Sequence, residues 1–165
     1  MKRPWNIVDH AVYSLVSYDN ANKINMNICT YVSAISMKPK VFMIAIYYGT
    51  KTYDNLLNSK SFVLQILSKK NISLVRTLGK KSGLKIDKEK YLTKKNLVSW
   101  KNFEILPEIC ATIELKKHSV IENHADHAIC LFDVASFKTF SEKNILTTKD
   151  LNCLLYTSPS PRDPI

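Results

Sequence analysis

The chain has 165 residues and 45% hydrophobic content, which suits a single domain around one core. A formal net charge of +10 raises the question of an anionic partner. The lysine doublets Lys69-Lys70, Lys80-Lys81, Lys94-Lys95 and Lys116-Lys117 are scattered, however, and arginine is scarce, so a solvated basic surface is expected and no nucleic-acid partner. No apolar stretch approaches the roughly 20 residues that cross a bilayer, since Lys38, Lys40 and Lys51 bracket the longest one.

In chain order, residues 11–18 form the first predicted strand. Asp19, Asn20 and Asn22 then supply turn chemistry, and residues 24–32 run back as a hairpin partner. Residues 41–48 are almost continuously apolar, as in a central strand covered on both faces. Thr50 or Thr52 caps a short helix that runs through Ser59 with Tyr53, Leu56 and Leu57 on its inner side. Another strand spans 61–67, and residues 70–78 are helical in pattern, with Leu74, Val75 and Leu78 on one face and a stop at Gly79. A lysine-rich loop follows. Later strands are expected at 111–118, where Ala111, Ile113 and Leu115 alternate with polar residues, and at 127–140 with a bulge. The sum is a mainly β protein, a six- or seven-stranded antiparallel barrel with a few short helices. Three glycines in the whole chain cannot write a GxGxxG fingerprint or a P-loop.

Asp9 and His10 interrupt the apolar run that an export signal needs. Cys29, Cys110, Cys130 and Cys153 form no C-x-x-C pair, which favours a reducing compartment and writes no zinc site. A cytoplasmic protein is expected. Residues 153–165, CLLYTSPSPRDPI, neither alternate nor show helical periodicity. They read as a non-native or disordered tail behind a domain spanning 1–152.

The chemistry is concentrated in NMNICTYVSAISMKPKVFMIAIYYGTKT, residues 25–52. Asn27, Thr30, Tyr31, Ser33 and Ser36 place polar groups on a strand, and Thr50, Lys51 and Thr52 cluster at a helix start, where backbone N–H groups and the helix dipole suit a phosphate. Hydroxyls along a strand serve equally well as solvent-facing or cross-strand groups, so the pattern alone leaves both readings open. Tyr47 and Tyr48 read as barrel wall, Cys29 as a small hydrophobe, and Trp5 and Trp100 as packing anchors. His124 and His127, three apart, point in opposite directions on a strand and have no evident third partner, so no metal site is expected.

The same segment resembles the flavin-binding motif of the flavin reductase-like FMN-binding split-barrel family, a Thr/Ser-rich strand of the form T-A-x-S-F-T-S-V-S followed by a proline and an apolar strand. Ala34-Ile35-Ser36 stands for S-V-S, Ser33 for threonine, Val32 for phenylalanine, Thr30-Tyr31 for the paired polar residues, and Pro39 for the proline. Ile28 replaces a usual threonine and Val32 a usual phenylalanine. The loop LGKKSGLKIDKEKY and the element Ala125-Asp126-His127, similar to the family's G-D-H, extend the likeness. The resemblance implies a split β-barrel that binds FMN, commonly as a homodimer, and takes hydride from NADH or NADPH. It assigns Thr30, Tyr31, Val32 and Ser33 to the flavin ring and ribityl chain, Thr50, Lys51 and Thr52 to the phosphate, and Asn27, Lys81 and Ser82 to further cofactor contacts. His127 becomes the expected catalytic residue, orienting the nicotinamide or the acceptor. A non-catalytic FMN-binding or electron-carrying module is the alternative, and a barrel that binds RNA or another anion is a third reading, supported by net charge alone.

Overall fold

The computed structural model describes residues 1–80 and 87–152. Its nine strands are β1 (Tyr13–Tyr18), β2 (Ile24–Met26), β3 (Val32–Met37), β4 (Lys40–Tyr47), β5 (Ser61–Ile66), β6 (Val98–Trp100), β7 (Phe103–Ile105), β8 (Ala111–Ile121) and β9 (His127–Thr139). The helices are α1 (Pro4–Ile7), α2 (Lys51–Asn58), α3 (Ile72–Lys80) and α4 (Lys88–Leu92). Seven strands form one antiparallel sheet in the order β2-β1-β5-β8-β9-β4-β3, and β6-β7 make a separate hairpin. The 153–165 tail lies outside the described residues.

The expected single strand at 24–32 is instead divided, and the division closes the barrel. Ile24–Met26 pairs with β1 on one edge of the sheet, and Cys29 still bridges Tyr13. By Tyr31, whose carbonyl accepts from the Ala45 amide at 3.0 Å, the chain has passed to β4 on the opposite edge. Asn27 sits at the break. Its side-chain Oδ1 accepts from the Leu15 amide at 2.8 Å in place of a backbone carbonyl, while its own amide donates to the Leu15 carbonyl and pairing with β1 continues through Cys29. One strand that joins both edges leaves fewer exposed edge groups than an open sheet would.

Two apolar clusters flank this wall. Inside, Leu15 of β1 shares a cluster with Ile44 and Ile46 of β4, Phe62 and Leu64 of β5, and Phe132 of β9. Strands from opposite ends of the sheet order can meet in this way only because the sheet curls, and Phe62 and Phe132 pack edge-on at 5.5 Å between ring centroids. Helix α2 adds Tyr53 and Leu56 to that interior. Outside, Val12, Val16, Met26 and Val63 pack against Leu74, Val75 and Leu78 of α3, Leu92 of α4, and Phe103 and Ile105 of β7. The expected helical face of α3 is therefore its packing face.

The bulge expected late in the chain is Ala135, which has no partner between the Glu114–Ser136 and Leu115–Val134 pairs. A second falls at His118 in β8 and a third at Ile35 in β3. The β6-β7 hairpin and α4 were not expected from the sequence. Their strands are three residues long, too short for alternation to register.

Candidate functional site

Where the chain crosses from β1 to β4, a cleft of about 810 Å³ opens at the barrel rim. That volume lies within the range of small-molecule sites, roughly 300–1,000 Å³. The crossing segment supplies Asn25, Asn27, Ile28, Cys29, Thr30 and Tyr31, and β4 adds Ala45, Ile46 and Tyr47. The start of α2 supplies Thr50, Lys51 and Thr52, and the start of β9 supplies His127 beside Asp126. No helix of the described residues is long and apolar enough to cross a membrane. Among them, no group of three His, Cys, Asp or Glu is placed to hold a metal ion.

Helix α2 is aimed into this cleft by its cap. The Thr50 hydroxyl accepts from the Tyr53 amide at 3.2 Å and donates to the Tyr47 carbonyl at 2.8 Å, which ties the helix to the end of β4. Thr50 is thus spent on the fold. The first helical amides have no intrahelical acceptor, so the N-terminus presents donors and a partial positive charge where Lys51 and Thr52 line the cleft. Lys51 Nζ lies 3.4 Å from Asp19, whose own carboxylate accepts from the Ala21 and Lys23 amides. The Lys23 and Ala21 amides, together with Lys51, hold Asp19 ionised below the usual carboxylate range against its partial burial. At the other end, Lys117 Nζ donates to the Leu56 carbonyl at 2.7 Å, and Asn55 donates to Ser17 at 3.0 Å. The helix is fixed at both ends.

Asn25 gives the cleft an unmet polar group. Its Nδ2 donates to Thr52 Oγ1 at 3.1 Å, yet Oδ1 has no hydrogen-bond partner although the residue is only 3% exposed. A buried orphan amide atom costs about 1–3 kcal/mol. Turning the amide over would only exchange which atom is orphaned. Because Thr52 Oγ1 accepts from Asn25, its own proton points elsewhere.

His127 is held by three neighbours. Its Nδ1 lies 2.6 Å from Asp126 Oδ1, the Tyr47 ring meets it edge-on at 5.0 Å, and the Tyr31 ring lies tilted at 5.4 Å. A carboxylate only accepts, so Nδ1 carries the proton and Nε2 is left to the cleft. The β8-β9 turn that carries this pair is pinned in turn. Asn123 donates to the His127 carbonyl at 2.9 Å and accepts from the Ala125 amide at 2.7 Å, and the Asn123 amide donates to the Tyr48 hydroxyl. Tyr53 donates to Glu122 at 2.6 Å, a bond that pushes the phenol pKa up to about 12.

The remaining walls come from distant parts of the chain. Lys88 is 5% exposed and donates to the carbonyls of Met26 and Leu78, joining β2, α3 and α4 below the cleft. The N-terminal segment contributes Lys2, Arg3, Trp5 and His10, and the turn after β9 contributes Thr148 and Lys149.

Of the residues expected at the site, the structure brings Asn27, Thr30, Tyr31, Thr50, Lys51, Thr52 and His127 into one cleft. It does not bring Val32 and Ser33 there. Val32 packs against the barrel interior, and Ser33 is exposed, pairs with Met43 and donates to the Ala34 carbonyl. The cleft follows the crossover and ends at Tyr31, where regular pairing with β4 takes over. Lys81 and Ser82 lie outside the described residues. Two sequence readings need correction. Tyr47 is a cleft residue stacked edge-on against His127, not simply barrel wall, and Trp5 is 58% exposed at the cleft instead of anchoring a core. Asn25, Lys88 and Lys149 were missed, since no local pattern relates them.

Solved structures of similar fold include a protein of Sinorhizobium meliloti 1021 named as a candidate oxidoreductase, with 16% identity and a TM-score of 0.75. The match covers 89% of this chain but 51% of that one, so the present chain spans about half its length. The FMN-binding protein of Thermus thermophilus, solved with bound 1-cyclohex-2-enone, has 18% identity and a TM-score of 0.72 over 84% of this chain and 75% of that one. The styrene monooxygenase flavin reductase of Pseudomonas putida S12 has 14% identity and a TM-score of 0.72, over 83% and 85%. No match to a curated protein was found. The split-barrel crossover, the cleft at its rim and a match of residues 7–157 to the flavin reductase like domain together show that this chain belongs to the flavin reductase-like family.

Proposed function

We propose that the chain is a flavin oxidoreductase that binds FMN in the rim cleft and takes hydride from NADH or NADPH. The observation that carries this reading is the meeting, in one cleft, of a capped helix N-terminus bearing Lys51 and Thr52, the unmet Asn25 amide, and His127 held by Asp126. These residues fit the cofactor. The α2 amides, Lys51 and the Thr52 hydroxyl hold its phosphate. Asn25 Oδ1 accepts from a ribityl hydroxyl, and Ile28, Cys29, Ala45 and Ile46 offer apolar surface to the ring. Bound FMN supplies the hydride-accepting chemistry, and the protein supplies placement and electrostatics. His127 Nε2 accepts a hydrogen bond from the nicotinamide carboxamide, while Asp126 keeps the imidazole in that tautomer.

A homodimer completes this reading. The outward sheet face carries Met43, Ala45, Ile129, Leu131 and Ile121 in adjacent registers, with Ile129 37% and Ile121 47% exposed. An apolar patch of this kind suits a self-complementary interface. Cys29, Cys110 and Cys130 are buried free thiols, which suits the reducing cytoplasm.

Anaerobic mixing of the protein and FMN with NADH or NADPH tests the reaction. Bleaching of the flavin band by either reductant is expected. Flavin that binds and stays oxidised with both would leave the electron-carrier alternative, and absence of flavin binding would refute the cleft assignment.

A further inference from the structure

We propose that Tyr53 of α2 is a positioning residue for His127, acting through Glu122, so that the helix whose first turn lines the cleft also sets the direction of the imidazole. This rests on the flavin reading for its kinetic readout alone. His127 opens β9, and residues 121–126 just before it are all exposed. None of residues 122–126 belongs to either apolar cluster. Asp126, which keeps the proton on Nδ1, has a side chain 60% exposed. A carboxylate so open to water holds a ring weakly, and it fixes one direction only when the backbone beneath it is itself fixed.

Polar ties do the fixing, and they start from the corner between β4 and α2. The Tyr53 hydroxyl donates to Glu122 Oε1 at 2.6 Å. The Tyr48 hydroxyl accepts from the Asn123 amide at 3.0 Å, and the Tyr48 amide donates to the Asp126 carbonyl at 3.1 Å. Asn123 then closes the turn on itself through the Ala125 amide and the His127 carbonyl. Tyr48 and Tyr53 brace one another, their rings edge-on at 5.1 Å between centroids. Tyr53 is the anchored member of the pair. It is 9% exposed within the barrel interior, and its amide is the one that Thr50 caps. Its bond to Glu122 falls in the range of about 2.5–2.7 Å for a hydroxyl donating to a carboxylate, and a phenol pKa of about 12 keeps it a donor. The cation and amides at the start of α2 and the imidazole across the cleft thus hang on the same turn of helix.

The test reads the imidazole itself. Nitrogen NMR of the flavin-free protein at alkaline pH distinguishes a proton on Nδ1 from one on Nε2, and the hydrogen bond made by the ring sets which is present. Tyr53→Phe and Glu122→Ala should each move the His127 signals from the Nδ1-protonated form to the mixed tautomers of an unheld ring. The double variant should move them no further, because both changes break one bond. Glu122→Gln, which still accepts from Tyr53, should restore the parent signals. With FMN bound, Tyr53→Phe and Glu122→Ala should raise the KM for NADH about fivefold, as loss of one hydrogen bond does, while FMN affinity stays at the parent value. Parent-like His127 signals in both variants overturn the proposal even where Tm falls, since the bond would then brace the fold alone. Signals in Glu122→Gln that match Glu122→Ala overturn it too. If NADH fails to reduce FMN bound to the parent protein, the hydride reading falls, and the NMR result still decides the role of Tyr53.

Discussion

The unmet amide of Asn25 leads to the sharpest test of the cleft assignment. In the double variant Asn25→Leu, Thr52→Val, two hydrogen-bonded partners, each 3% exposed, become apolar groups of similar shape. Loss of their 3.1 Å bond costs about 1 kcal/mol, whereas removal of the orphan Oδ1 relieves about 1–3 kcal/mol. The flavin-free protein should therefore gain up to about 2 kcal/mol, or a rise in Tm of several degrees at roughly 2–4 °C per kcal/mol for a chain of this size. The flavin-bound protein should move the other way. It loses an acceptor for a ribityl hydroxyl and a donor to phosphate, together about 2–4 kcal/mol, so FMN affinity should fall between about 30-fold and 900-fold. Thermal unfolding followed by circular dichroism and FMN titration followed by fluorescence quenching measure the two effects on one preparation. A variant with lowered Tm and unchanged FMN affinity would falsify the reasoning, because Asn25 would then be a structural residue.

Thr50→Ala removes the α2 cap and its bond to the Tyr47 carbonyl, and it should cost about 1–2 kcal/mol, seen as a lower Tm that Thr50→Ser restores. Partial burial of Glu114 would raise its pKa, but the Ser136 hydroxyl and the Lys101 and Lys116 ammoniums outweigh it and hold the carboxyl below the usual range. The unfolded chain then binds the proton more readily, so this stabilisation is complete above the ordinary glutamate pKa of about 4.3 and is lost as pH falls through the lower folded value. Glu114→Gln should accordingly lower Tm near neutrality, and the gap from the parent should close in acid; a gap independent of pH would contradict the assignment. Ile129→Lys places a charge in the middle of the apolar sheet face and should shift sedimentation from dimer to monomer without lowering the Tm of the monomer. An unchanged sedimentation coefficient would remove this face from the interface.

Much of the barrel was legible because its signals are local. Residues 61–66 and 111–118 alternate or run apolar as strands must, and Thr50 precedes an amphipathic turn, whereas the stop expected at Gly79 lies inside α3, which is helical through Lys80. The strand expected at 24–32 went wrong because periodicity says which face a side chain takes and nothing about which strand lies beside it. Asn27 looked like a ligand contact in the sequence, and in the fold its Oδ1 also stands in for a backbone rung. Val32 and Ser33 lay in the middle of the matching motif, yet the cleft stops one residue before them.

The order of residues by itself determined a mainly β chain with one flavin-type motif, since patterning, capping and turn chemistry act over a few residues. Tertiary structure alone decided the site. It carried the strand from β1 to β4, set Tyr47 against His127, left Asn25 Oδ1 without a partner, and brought Arg3 and Lys149 to one cleft. Those relations depend on how the sheet curls and on which edges meet, and that free energy is shared among contacts far apart in the sequence, such as the β4-β9 pairs.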